Sequence, residues 1–296
     1  MIEIVIFILP NELDDLGKLL DRLSKGSKFL TQSQKNRIKF SIVLGISDEI
    51  IDWDLSKVSK KECIDQFLSL KKYTKWAKLS NFTPSEDISG CTTMRVNSSH
   101  SNSDYYLWLD SDIVFDPLSL SYFLNSIPIL ESNSIDKFIL SPEIVRIWDE
   151  TWDCLVNEKF KNKPLNYHKS NNPYTDTQIS EDAEFNLVEV NNRIINQPYM
   201  KFAGGWFNLI SKKLLSEIPL PIDFSHYGWE DTYIMYAAHL LNNPKIKQFK
   251  IKNIIVCENY YDRVISFKNK IMLKDRREEY RSFNQKIFLE SLKSIN

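Results

Sequence analysis

The chain opens with Ile2 to Leu9, a short continuous run of β-branched and large apolar side chains, the pattern of a strand buried on both faces. Pro10 and Asn11 end it. Leu13, Leu16, Leu19, Leu20 and Leu23 then recur at helical spacing, and Gly26 reads as the stop. Ile38 to Ile46 repeats the buried-strand pattern and runs out into Ser47 and Asp48. Lys60 to Tyr73 predicts a helix with Cys63, Phe67 and Leu70 on its apolar face. Trp76 to Phe82 follows as a strand, and Ser85 as the cap of a helix carrying Arg95 and Asn97. The next strand, Tyr105 to Leu109, reads YYLWL and runs straight into Asp110, Ser111 and Asp112. This alternation predicts an α/β fold: a mixed, mostly parallel sheet flanked by helices, with ligands at the carboxyl ends of its strands. Asp48 and Asp110 both lie at such ends.

Lys137 to Ile144 predicts another strand. Residues 149–200 lose periodicity and fill with Asn, Lys, Asp and Pro; an irregular stretch of that length inside a domain reads as a functional loop. There follow an extended FAGGWFNLIS, a short helix from Lys212, a turn at Pro219 to Pro221, a helix from Trp229 to Leu241 and a strand from Ile246 to Val256. From Phe267 the chain predicts one amphipathic helix, with Ile271, Tyr280, Phe283, Ile287, Phe288 and Leu292 apolar and eight basic residues against four acidic. Docking onto the core is its expected role, and peripheral contact with an anionic membrane surface the alternative. No internal repeat is visible.

Composition narrows the partners. With 296 residues, 43% hydrophobic, the chain can bury a large core, and its net charge of −1 argues against a nucleic-acid partner held by phosphate neutralisation. An anionic ligand must be met locally. The longest uncharged apolar-rich run, Pro117 to Leu130, is broken by two prolines and three serines and falls short of the ~20 residues that span a bilayer. Ile4 to Leu9 has no basic segment before it and no small-residue cleavage site after it, so it reads as a strand and not a signal peptide, and a cytoplasmic location is expected. Cys63, Cys91, Cys154 and Cys257 lie far apart, which suggests reduced thiols and no zinc knuckle or disulfide framework. Glycine is scarce: seven, against the roughly twenty that average usage of about 7% would give. Gly204, Gly205 and Gly228 nevertheless fall close together, where a backbone could approach a ligand.

Two constellations can carry chemistry. Asp110-Ser111-Asp112 places two carboxylates, hard ligands for Mn²⁺ or Mg²⁺, at a ligand-binding sheet edge. A solvated turn is the simpler reading, but the strand before it and Ile113, Val114 and Phe115 after it are poorly suited to mere solvation. The second runs from Phe202 to Tyr236. Gly204 and Gly205 free the backbone, Trp206 offers a flat face of the kind sugars stack on, and Gly228 leads into Trp229, Glu230 and Asp231 at a helix N-terminus. Dipole complementarity, worth about 0.3–1 kcal/mol, explains the two acids taken alone, and core packing explains the tryptophans. Joined to an upstream acid pair, they describe a base, an aromatic platform and a flexible loop.

At these residues a resemblance enters. YYLWLDSDIVF resembles the strand and D-x-D element of GT-A-type glycosyltransferases, and GGWFNLIS followed by YGWEDTYIMYAA resembles the acceptor and base region of the β-galactosyltransferase and chondroitin-polymerase families. IVIFILPNE and SIVLGISDE sit where those enzymes place their nucleotide-binding strands. The resemblance implies one GT-A catalytic domain over residues 1–260, with a nucleotide-binding part over about 1–115, an acceptor part over 116–260, and a helical appendage over 261–296. It implies that Asp110 and Asp112, with Ser111 between them, hold the metal and the sugar-nucleotide diphosphate, and that Pro10, Asn11, Asp48 and Arg95 surround the nucleoside. Asp231 would be the general base, with Glu230 and Trp229 holding the acceptor sugar beside Gly204, Gly205 and Trp206. Two features depart from the family pattern. Its G-W-G-G-E-D loop is shortened here to Gly228-Trp229-Glu230-Asp231, and its late metal-binding histidine falls in VCENY, where Cys257 or Glu258 stands instead. His226 and His239 are rival ligands.

The expected activity is therefore a metal-dependent, inverting transfer of a hexose or N-acetylhexosamine from a nucleoside-diphosphate sugar, with UDP as the expected nucleotide, to a hydroxyl of a glycan or glycoconjugate. The loop over 149–200 would be a lid on the acceptor. The alternatives are a sugar-nucleotide pyrophosphorylase and a non-catalytic carbohydrate-binding protein. The first calls for a glycine- and lysine-rich phosphate loop where this chain has PNELDDLGK, and the second has no need of Asp110, Asp112 and Asp231 together.

Overall fold

The computed structural model describes residues 1–46, 59–86, 91–98, 100–147, 187–189, 207–218, 220–224, 229–241, 243, 245–258 and 271–293. Its centre is β1 (Ile2–Ile8), whose side chains feed two cores in alternation, as strand geometry requires. Ile2, Ile4, Ile6 and Ile8 face one core, built with α1 (Leu13–Gly26), α3 (Lys60–Ser69) and α5 (Ser119–Ser132). Val5 faces the other, with Tyr106 and Trp108 of β4 (Tyr105–Leu109), α6 (Lys212–Glu217), α7 (Glu230–Leu240) and the end of α8 (Ile271–Lys293). A one-turn helix, α2 (Gln32–Lys35), leads into β2 (Ile38–Gly45).

The described strands form one nine-stranded sheet in the order β3-β2-β1-β4-β8-β6-β9-β5, with β7 (Leu187–Glu189) paired to β9 (Ile246–Glu258). From β3 (Leu79–Ser85) to β4 all neighbours are parallel, so the carboxyl ends of β1, β2 and β4 share one edge. β8 (Phe207–Ser211) runs antiparallel to both β4 and β6 (Lys137–Ile147), and β6 is parallel to β9. β5 (Ile113–Phe115), three residues beyond β4, pairs antiparallel with the end of β9. No helix among the described residues is long and apolar enough to cross a membrane.

Several elements differ from the sequence expectation. Gly26 is the last residue of α1, as expected, but it keeps right-handed helical angles and leads into a 3₁₀ turn over Ser27–Phe29. Glycine is needed there for space, because a Cβ would stand 2.5 Å from the carbonyl oxygen of Pro117. The apolar run from Pro117 is a helix with Pro128 inside it; its apolar and small residues are buried on most sides, which removes the amphipathic period that would have announced it. β3 starts at Leu79 and not at Trp76, since Ala77 closes a turn onto Thr74 and the Trp76 ring packs edge-on to Phe40. Ser85 ends that strand, and α4 (Cys91–Ser98) starts further on. Part of the stretch read as loop is strand, β7.

Candidate active site

Five consecutive buried residues fix β4 in the sheet and deliver Asp110 to the shared edge. Beside it α4 presents Arg95, which is 4% exposed and whose guanidinium carbon lies 5.3 Å from the centroid of the buried Trp108 ring. Arg95 donates from one nitrogen to Asp110 Oδ1 at 2.6 Å and from the other to Glu230 Oε1 at 2.5 Å. The Thr92 hydroxyl donates to Glu230 Oε2 at 3.3 Å. A single guanidinium thus joins the end of β4 to the start of α7, elements distant in sequence.

The electrostatics of this bridge are uneven. Glu230 is 3% exposed, and burial pushes its carboxyl above the usual range; Arg95 pulls it back, while Asp231 and Asp110 add to the upward push. Asp110 keeps 30% of its side chain exposed and faces solvent on one side. Ser111 and Asp112 are buried, Asp112 at 5%. The backbone register places Glu258 opposite Ile113 and Cys257 opposite Val114, so the end of β9 lies beside the residues that follow Asp112. The side chains of Cys257, Glu258 and His239 lie outside the described residues.

Among the described residues no three His, Cys, Asp or Glu side chains gather as a metal-holding group. Asp110 and Asp112 still fit a divalent cation of the Mg²⁺ or Mn²⁺ type, which takes one or two carboxylates and completes its shell with substrate phosphates and water. A shared edge, two hard carboxylates and a near-neutral chain are consistent with that donor set.

At the start of α7, Trp229 has a φ of 75° and its carbonyl accepts from the Tyr233 N–H at 2.7 Å. Its ring lies 5.0 Å from that of Phe288 on α8, and its indole N–H has no hydrogen-bond partner among the described residues. Asp231 is half-buried, and its Oδ1 accepts from the backbone N–H of Thr232 at 2.6 Å and from the Thr232 hydroxyl at 3.3 Å. Pro10, buried, and Asn11, exposed, form the turn after β1 on the same edge. Asp48, Gly204, Gly205, Trp206, His226, Gly228 and the loop over 149–200 except β7 lie outside the described residues.

The structure thus brings Asp110, Arg95 and Glu230 together. Arg95, expected beside the nucleoside, has its guanidinium between two carboxylates; Glu230, expected to hold acceptor sugar, is buried on Arg95 and Thr92. Sequence reasoning missed Thr92 and the Trp108 face, and the one available signal was a helix-borne arginine just ahead of an acid-tipped strand.

No protein-family model matches this sequence, and no curated protein matches it significantly. Solved structures do. S. aureus TarS 1–349 matches with a TM-score of 0.50 at 13% identity, over 94% of this chain and 68% of that one. A longer S. aureus TarS structure gives 0.50 at 12% identity, over 94% of this chain and 42% of its own length. TarS 1–349 in complex with UDP-GlcNAc gives 0.50 at 14% identity, over 87% and 58%. At such identities the likeness is one of fold. The mixed sheet flanked by helices is a GT-A fold, shared with those structures.

Proposed function

We propose that this chain is a metal-dependent, inverting glycosyltransferase that moves a hexose or N-acetylhexosamine from a UDP sugar to a hydroxyl of a glycan or glycoconjugate. The observation that carries this reading is the convergence at Arg95: Asp110 after β4 and Glu230 at the start of α7 meet through one guanidinium, at 2.6 and 2.5 Å. The GT-A fold, and the UDP-GlcNAc bound in one of its TarS representatives, support the donor class.

In this reading Asp110 and Asp112 would hold the divalent cation, with Cys257 or Glu258 completing the set. Once bound, that cation supplies Lewis-acid neutralisation of the charge on the departing nucleoside diphosphate. Asp231 takes the proton from the acceptor hydroxyl, a contribution typically worth ~10²–10⁴ in rate. Its carboxylate is oriented by the Thr232 N–H and hydroxyl. Glu230 acts through Arg95, locking the first turn of α7 against β4 so that base and donor keep a fixed separation. Pro10, Asn11 and Asp48 flank the nucleoside. Gly204, Gly205, Trp206 and Trp229 line the acceptor side.

The test is thermal unfolding with UDP, with Mn²⁺, and with both. The two together should raise the melting temperature more than either alone. No response to UDP in the presence of Mn²⁺ would remove the donor assignment.

A further inference from the structure

Helix α8 turns its buried face towards the start of α7. Asn284 and Phe288 are buried, Ile287 and Leu292 are half-buried, and Phe283 and Leu289 stay exposed. Phe288, 5% exposed, lies 5.0 Å from the Trp229 ring at 42° and 6.3 Å from the Tyr233 ring at 78°. Those two rings bracket Glu230 and Asp231 in sequence.

Trp229 is also, with Ser134, one of two described non-glycine residues with a positive φ. A φ of 75° is left-handed, and a bulky L side chain persists there only when its surroundings over-determine it. Its carbonyl nevertheless accepts the first hydrogen bond of α7, from Tyr233. The helix therefore starts from a strained residue whose ring is braced by Phe288. The start of α7, which carries Asp231, is contacted from two sides: from the sheet through Arg95 on Glu230, and from the C-terminal helix through Phe288 on Trp229.

We propose that α8 forms one wall of the site, with Phe288 as a positioning residue that holds Trp229 in its left-handed conformation and so sets where Asp231 stands relative to Asp110. The inference rests on Asp231 being the base.

The test uses Phe288→Ala and Phe288→Leu in the full chain, with two readouts. Hydrogen exchange reports the geometry whatever the reaction. In Phe288→Ala, amides over residues 230–236 should exchange at least ~10-fold faster while those over 105–109 keep native protection, and Phe288→Leu should stay near native. Hydrolysis of UDP-GlcNAc with Mn²⁺, water serving as acceptor, reports the function. In Phe288→Ala kcat should fall about tenfold with KM for UDP-GlcNAc within about twofold, and Phe288→Leu should recover most of kcat. Unchanged exchange over 230–236 in Phe288→Ala would overturn the bracing of Trp229. Faster exchange with unchanged kcat, or kcat and UDP-GlcNAc affinity falling together, would overturn the positioning role. A native chain that hydrolyses no UDP-GlcNAc would count against the glycosyltransferase reading, with the exchange result still deciding the bracing.

Discussion

Replacing Arg95 with Met keeps much of the buried stem and removes the charge that joins β4 to α7. The cost follows from what is left behind. Glu230, 3% exposed, loses the cation at 2.5 Å, and breaking a buried pair from one side typically costs ~3–5 kcal/mol. Asp110, with 30% of its side chain exposed, turns to water and adds about 0–1 kcal/mol. Glu230 can escape part of the penalty by protonating, since burial already raises its carboxyl, so about 3 kcal/mol is expected near neutral pH. An unfolding entropy of ~2.1 cal/mol/K per residue over 296 residues makes that a fall of roughly 5 °C in Tm. The pH dependence has a definite sign. A carboxyl raised in the folded state contributes stability below its unfolded range and loses it as pH rises through the folded value; without Arg95 that value rises further. The deficit of Arg95→Met should therefore widen from about pH 5 to 8 by scanning calorimetry, and the double variant with Glu230→Gln should recover about 2 kcal/mol of coupling. A fall below about 1 °C, the same fall at both pH values, or additive single and double variants would refute the bridge.

Asp231→Asn should lower the rate of donor hydrolysis by about 10²-fold or more while UDP affinity with Mn²⁺ stays near native by titration calorimetry; parallel loss of both would unseat Asp231 as base. Glu3 is buried in β1, which pushes its carboxyl up, but donation from Ser101, Ser41 and Ser103 and the ammonium of Lys39 outweigh burial and hold it below its usual value. Stability from that group is present above the unfolded carboxylate range and lost as pH falls through the folded value, so Glu3→Gln should cost about 1–3 kcal/mol at pH 7 and flatten the acid limb of the Tm profile. An unchanged acid limb would contradict it. Gly26→Ala sets a Cβ against the Pro117 carbonyl at 2.5 Å, and this overpacking, about 1–3 kcal/mol, should outweigh the helix-propensity gain of about 1 kcal/mol, lowering the urea midpoint where propensity alone would raise it.

Much of the N-terminal half of the sheet was legible because its strands are buried on both faces. Ile2 to Ile8 and YYLWL are continuous apolar runs that only a central strand explains, and the acids after YYLWL then had to lie at a sheet edge. The start of α7 was legible from the acids in its first turn. Helix α5 was not, because Pro128 interrupts it and burial on most sides erases its period. The Arg95 bridge was hidden for another reason: its partners lie 15 and 135 residues away, and no local pattern encodes such a contact. The left-handed φ of Trp229 was equally hidden, since the ring it packs against, Phe288, lies far along the chain and no local pattern announces that contact.

The central claim is that the acids after β4 hold a nucleotide sugar through a divalent cation. Titration calorimetry of UDP into the native chain and into Asp112→Asn, each with and without Mn²⁺, tests it most directly. Native binding should strengthen with Mn²⁺, and Asp112→Asn should lose that strengthening while keeping its melting temperature near native. UDP binding that ignores Mn²⁺, or strengthening that survives in Asp112→Asn, would contradict it.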